Sequence, residues 1–193
     1  MTFVRSAKSL LALACMAIAV AGCATEPLPA GNAAYVVDRG LEYKLGPGDK
    51  VRVTVFGEES LSGEFLVANN GAVAFPLIGE VPAGGLTPTA FQVAVQEQLT
   101  ASGLVRSPRV SADVVAYRPY YILGEVTKPG QYPYSVGLTA TKAVATAGGF
   151  TYRADSKLIY VTREGATREV PVSLTAASAI WPGDTIRIAE RHF

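Results

Sequence analysis

The chain has 193 residues, with 17 basic and 16 acidic side chains and a formal charge of +1. That balance gives no electrostatic case for a nucleic-acid partner or a polybasic membrane patch, and the length allows one ordinary domain or two small ones. The cysteines, Cys15 and Cys23, both lie near the N-terminus, so the rest of the chain has no thiol for a disulfide or a metal cluster.

Arg5 and Lys8 form a basic start and Leu10–Ala21 an apolar run, well short of the roughly 20 residues that cross a hydrocarbon core. The run closes in Val20-Ala21-Gly22-Cys23, which resembles the bacterial lipoprotein processing box. Residues 1–22 are therefore expected to be a signal peptide, with cleavage leaving Cys23 as the lipid-attachment residue. The alternative is an ordinary secretory signal with an incidental cysteine. Two or three acyl chains on Cys23 meet the requirement for stable anchoring. Ala24 follows; without the aspartate that retains lipoproteins in the inner membrane, the resemblance points to the outer one. Losing Arg5 and Lys8 turns the formal charge from +1 to −1.

Residues 23–42 are expected to be a lipidated N-terminus and linker, because Thr25–Ala34 is rich in Pro, Gly and Ala and shows no period. Pro47-Gly48-Asp49 predicts a turn and Val51–Phe56 an alternating strand. Glu64–Ala68 and Ala72–Leu77, joined at Asn69-Asn70-Gly71, predict a hairpin. Thr87-Pro88 starts a helix in which Phe91, Val95 and Leu99 share one face, and Gly103 ends it. Val110–Ala116 predicts another strand.

From Tyr120 to Thr151 the pattern becomes strand, Pro129-Gly130 turn, strand, a helix over Ala140–Ala147 capped by Thr139, and a stop at Gly148-Gly149. Gly130 is expected to take the positive φ of the second turn position. Leu158–Val161 and Thr185–Ile188 supply further strands, and the unit reads as the start of a β-grasp module. Gly124-Glu125-Val126, Pro129-Gly130-Gln131-Tyr132, Ala147-Gly148-Gly149-Phe150-Thr151 and Ala154 together resemble the soluble-ligand-binding β-grasp (SLBB) domain of bacterial polysaccharide export proteins. The preceding strands around one helix resemble the export domain of the same family. The expected fold is α+β: an export domain over 43–117, an SLBB β-grasp domain over 118–193, and no transmembrane helix in the mature chain.

Gly46–Val55 and Trp181–Glu190 echo each other, each with Pro-Gly-Asp before an alternating strand. Pro47, Gly48 and Asp49, like Pro182, Gly183 and Asp184, fit a type II turn whose aspartate bonds nearby amides; a duplicated ligand loop is the competing reading. Catalytic machinery is sparse. His192 is the sole histidine, no nucleophile motif or phosphate loop is present, and Glu58, Glu59 and Glu64 form only a polar cluster. No enzyme activity, cofactor or metal is expected. Tyr117, Tyr120, Tyr121, Tyr132 and Tyr134 crowd two adjacent strands. They suit glycan contact through aromatic faces with a hydroxyl handle, or core and subunit packing as favoured strand residues.

The resemblance implies a non-catalytic component of exopolysaccharide or capsule export. It would sit on the periplasmic side of the outer membrane as a homo-oligomeric ring, with polysaccharide and an inner-membrane polysaccharide co-polymerase as partners. Longer, Wza-type members add a C-terminal amphipathic helix that builds an outer-membrane pore. This sequence stops at Phe193, soon after Ile188, and so looks like the short, GumB-like members, with a separate β-barrel as the outer-membrane conduit. A monomeric periplasmic glycan-binding module and a structural envelope lipoprotein are the alternatives.

Overall fold

The computed structural model describes residues 42–175 and 178–191. The leader, Cys23 and His192 lie outside the described residues. Two hydrophobic cores organise the fold, one drawing on residues from Leu45 to Val110 and the other on residues from Tyr120 to Ile188.

In the first module, β1 (Lys50–Val55) is the centre of a three-stranded antiparallel sheet between β2 (Gly63–Leu66) and β5 (Val110–Ala116). Alternation puts Val51, Val53 and Val55 on the inner face, each at most 2% exposed. Helix α1 (Pro88–Ala101) covers that face with Phe91, Val95 and Leu99, all fully buried. Thr87 caps α1 by accepting from the Ala90 N–H at 3.1 Å, and Pro88 opens it without an orphan donor.

The expected hairpin across Asn70-Gly71 is not the one that forms. The turn exists, since Ala68 N–H donates to the Ala72 carbonyl at 2.8 Å, but its two arms separate into different sheets. β2 pairs with β1, whereas β3 (Ala72–Phe75) pairs with β4 (Gly79–Pro82). The Gly71 carbonyl accepts from both Ala83 and Gly84 N–H groups, at 2.9 and 2.7 Å. This draws the end of β4, rather than β2, alongside β3.

The second module holds a five-stranded mixed sheet in the order β7-β6-β10-β8-β9. Its strands are β6 (Tyr120–Gly124), β7 (Gly130–Tyr132), β8 (Ala154–Thr162), β9 (Val170–Ser173) and β10 (Thr185–Glu190). The last strand inserts parallel to β6 and antiparallel to β8, the arrangement of a β-grasp sheet. Helix α2 (Ala140–Thr146) buries Ala140, Ala143 and Val144 in this core. It ends in a Schellman motif, with Gly149 N–H on the Val144 carbonyl and Gly148 N–H on that of Ala145, both at 3.0 Å.

The turn between β6 and β7 differs from expectation. Gly130 is the first residue of β7, opposite Ile122, and is absent from the glycines with positive φ. Gly124 takes that role at φ 88°, because the connection is a wide loop folded onto the end of α2. Thr127 and Lys128 N–H groups cap the Gly149 and Ala147 carbonyls there. The fold is α+β, and no helix among the described residues is long and apolar enough to cross a membrane.

Candidate functional site

A cluster of charged and aromatic side chains converges where the modules meet. Both Pro-Gly-Asp turns point there. Asp49 N–H donates to the Gly46 carbonyl at 3.1 Å and Asp184 N–H to that of Trp181 at 3.2 Å. With Gly48 at φ 89° and Gly183 at φ 83°, each is a type II turn. The carboxylates repeat the pattern, since Asp49 Oδ2 accepts from Gly46 N–H at 2.8 Å and Asp184 Oδ2 from Trp181 N–H at 2.7 Å.

Each aspartate also holds an arginine. Asp49, fully buried, accepts from the Arg118 backbone N–H and from Arg118 Nη1, both at 2.8 Å. It also accepts from the Tyr43 hydroxyl, and Arg118 Nη1 lies 2.8 Å from the same hydroxyl. Asp184, 1% exposed, pairs with Arg163. Glu164, the next residue along, faces Arg118 Nε. The sequence of charges Asp49, Arg118, Glu164, Arg163 and Asp184 therefore alternates in sign across the seam.

Burial shapes their ionisation. Desolvation pushes the Asp184 carboxyl up to about 6, opposed by the Arg163 charge and the Trp181 amide. Burial also lowers Arg163, and burial together with the Asp49 carboxylate raises the Tyr43 phenol. For Asp184, Arg163 and Tyr43 the loss of surrounding water is the larger effect.

An aromatic file runs beside it. Tyr43 meets Tyr117 edge-on at 4.9 Å between centroids, and Tyr117 meets Tyr134 edge-on at 5.3 Å. Of the five tyrosines singled out in the sequence, Tyr117 and Tyr134 thus bridge the modules. Tyr120 is 1% exposed and stacks on Tyr132 at 5.8 Å; that burial removes Tyr120 from any surface that could meet a glycan. Tyr132 is half-buried and donates its hydroxyl to the Lys128 carbonyl at 2.7 Å. Tyr121, 43% exposed, stands on the opposite sheet face from α2, since its neighbours Tyr120 and Ile122 point inward.

The glutamate cluster does not converge on a reaction centre. Glu64 pairs with Arg52 at 2.7 Å and Lys50 at 3.1 Å, and these bonds, that from Arg52 first, hold its carboxyl below the usual range. Glu59 sits in a short 3-10 turn over Glu59–Leu61. Among the described residues, no three His, Cys, Asp or Glu side chains are grouped to hold a metal ion. Sequence reasoning passed over Arg118, Arg163, Glu164 and Tyr43. Their one signal was the repeated Pro-Gly-Asp, whose two buried aspartates each need a cation.

A β-grasp sheet behind a small β-rich module with one helix defines a two-module α+β protein joined at a polar seam. Residues 38–115 match the family described as Polysaccharide biosynthesis/export protein, and residues 118–187 match the SLBB domain. The chain belongs to this polysaccharide export family. It is also 38% identical over 130 residues to a protein of Rhizobium meliloti (strain 1021) named Exopolysaccharide production protein ExoF. That similarity covers 61% of this chain and 30% of the relative's own length.

Proposed function

We propose that this chain is a non-catalytic component of exopolysaccharide or capsule export, working on the periplasmic side of the outer membrane. The observation that carries the reading is the order of the two modules, export domain then SLBB domain, in one chain that is also similar to a protein named for exopolysaccharide production. The domain limits that fit the seam are 43–117 and 118–193, with Arg118 as the first residue of the second.

In this reading the protein is anchored by lipid on Cys23 and forms a homo-oligomeric ring. The ring guides polysaccharide from an inner-membrane co-polymerase towards a separate outer-membrane β-barrel, and no bond is made or broken. Deleting the chain and measuring surface polysaccharide tests the role: export should fall and return when the wild-type chain is restored. A Cys23→Ser variant should leave the outer-membrane fraction. Unchanged export in the deletion strain would overturn the proposal, and sedimentation of the unlipidated protein as a monomer would remove the ring from it.

A further inference from the structure

Charged side chains line the seam, and Arg118 touches both modules across it. Among the described residues no backbone–backbone hydrogen bond joins the modules, and no sheet ladder crosses between them. What does cross is Arg118, together with the edge contact of Tyr117 and Tyr134. Neighbouring domains are free to move unless a large apolar interface or a specific contact fixes them.

Arg118 has the chemistry to be that contact. Its Nη1 binds Asp49 of the first module while Nε, buried without a hydrogen bond, is ion-paired with Glu164 of the second, so a single planar cation meets a carboxylate from each module. Its backbone N–H is held by the same Asp49 carboxylate at 2.8 Å. Pro119 follows and restricts Arg118 to extended backbone, and the Pro119 carbonyl accepts from Gly183 N–H at 3.0 Å. The two turns also leave room for the guanidinium. A Cβ on Gly46 would stand 2.6 Å from Nη1, and one on Gly183 would stand 3.0 Å from Nε and 2.6 Å from Glu164 Oε2.

We propose that Arg118 is an orientation lock, the positioning residue that fixes the β-grasp module relative to the export module through the paired Pro-Gly-Asp turns. The repeated turn is then half of a device in each module, rather than two unrelated strand starts. This inference does not rest on the export reading and stands or falls separately.

Residual dipolar couplings on the full chain test it, since they report module orientation independently of stability. In the wild type, one alignment tensor should fit the couplings of both cores. In Arg118→Gln the core chemical shifts should persist while the cores need separate tensors. The magnitude of one should fall below that of the other, as order parameters fall from about 0.85 in rigid backbone to below about 0.6 in mobile backbone. A single shared tensor in folded Arg118→Gln would overturn the proposal. Should Arg118→Gln fail to fold, Arg118→Lys is read the same way, because it keeps the charge but has no planar fork to face Asp49 and Glu164 at once; a shared tensor of unchanged magnitude there overturns it equally.

Discussion

At the scale of single residues, the buried Asp49 carboxylate and the exposed Glu64 carboxylate both pair with arginine, yet they differ in what their loss leaves behind. Asp49 satisfies the Gly46 and Arg118 amides, the Arg118 guanidinium and the Tyr43 hydroxyl from a site with no solvent access. Asp49→Ala leaves Arg118, whose side chain is only 15% exposed, with Glu164 alone and takes the acceptor from the Gly46 and Arg118 amides, and removing one partner of a buried pair costs about 3–5 kcal/mol. Chemical denaturation should show that loss, while Glu64→Ala, whose partners remain in water, should leave the midpoint close to the wild type. Equal midpoints for the two variants would contradict this account of Asp49. Gly124 makes a second test. At φ 88° it turns its missing side chain towards the Ile188 carbonyl, so Gly124→Ala meets both backbone strain and a clash with backbone that cannot rotate away. A loss of at least about 2 kcal/mol is expected, since the left-handed region alone costs roughly 1–2 kcal/mol. A wild-type melting curve would refute it. The turn residues were legible because Pro-Gly-Asp encodes its own geometry. Arg118 was not, because its partner Asp49 lies 69 positions away, and no local pattern records that distance.

At the scale of elements, legibility followed how local each signal was. Both helices could be placed from their caps and apolar spacing, with Thr87 and Thr139 bonding the N–H groups of Ala90 and Lys142. Strand pairing depends on partners far along the chain, and there the reading failed at Asn70-Gly71, a genuine turn whose arms join different sheets. β9 escaped notice because Pro171 weakens its strand signal; it is an edge strand, where proline is tolerated. The real hairpin, β3–β4, turns on Leu77 at φ 67°, with Ile78 N–H on the Pro76 carbonyl at 2.8 Å. This is a γ-turn with its central residue in the strained, left-handed region, and the Leu77 side chain is 75% exposed, so packing returns little for the strain. Leu77→Gly should therefore raise stability by about 1 kcal/mol, read as a higher denaturation midpoint with unchanged slope. A fall in midpoint would mean that the exposed leucine packs in the folded chain after all.

At the scale of the whole molecule, two modules and their fold class could be read from the sequence, but the seam between them could not, since it is made of charges brought together only by folding. That seam should carry a pH signature. Asp184 titrates at about 6 in the folded chain against an ordinary 3.8, chiefly because burial disfavours its charge. Between those values the folded protein keeps a proton that the unfolded chain has released, so this group's contribution is fully present below about pH 4 and is lost as pH rises through 6. The gap of about two units corresponds to roughly 3 kcal/mol. The charged groups around it are Arg163, Arg118 and Glu164. Glu64 and Glu169, held low by arginine, work in the opposite direction, losing stability as pH falls. Asp184→Asn isolates the single term, because the amide oxygen can still accept from Trp181 N–H and Arg163 but cannot ionise. Denaturation midpoints at pH 4 and pH 7.5 should show the variant gaining on the wild type as pH rises. Profiles that run parallel across that window would mean that Arg163 compensates the buried carboxylate in full, and that folding places no net strain on this charge.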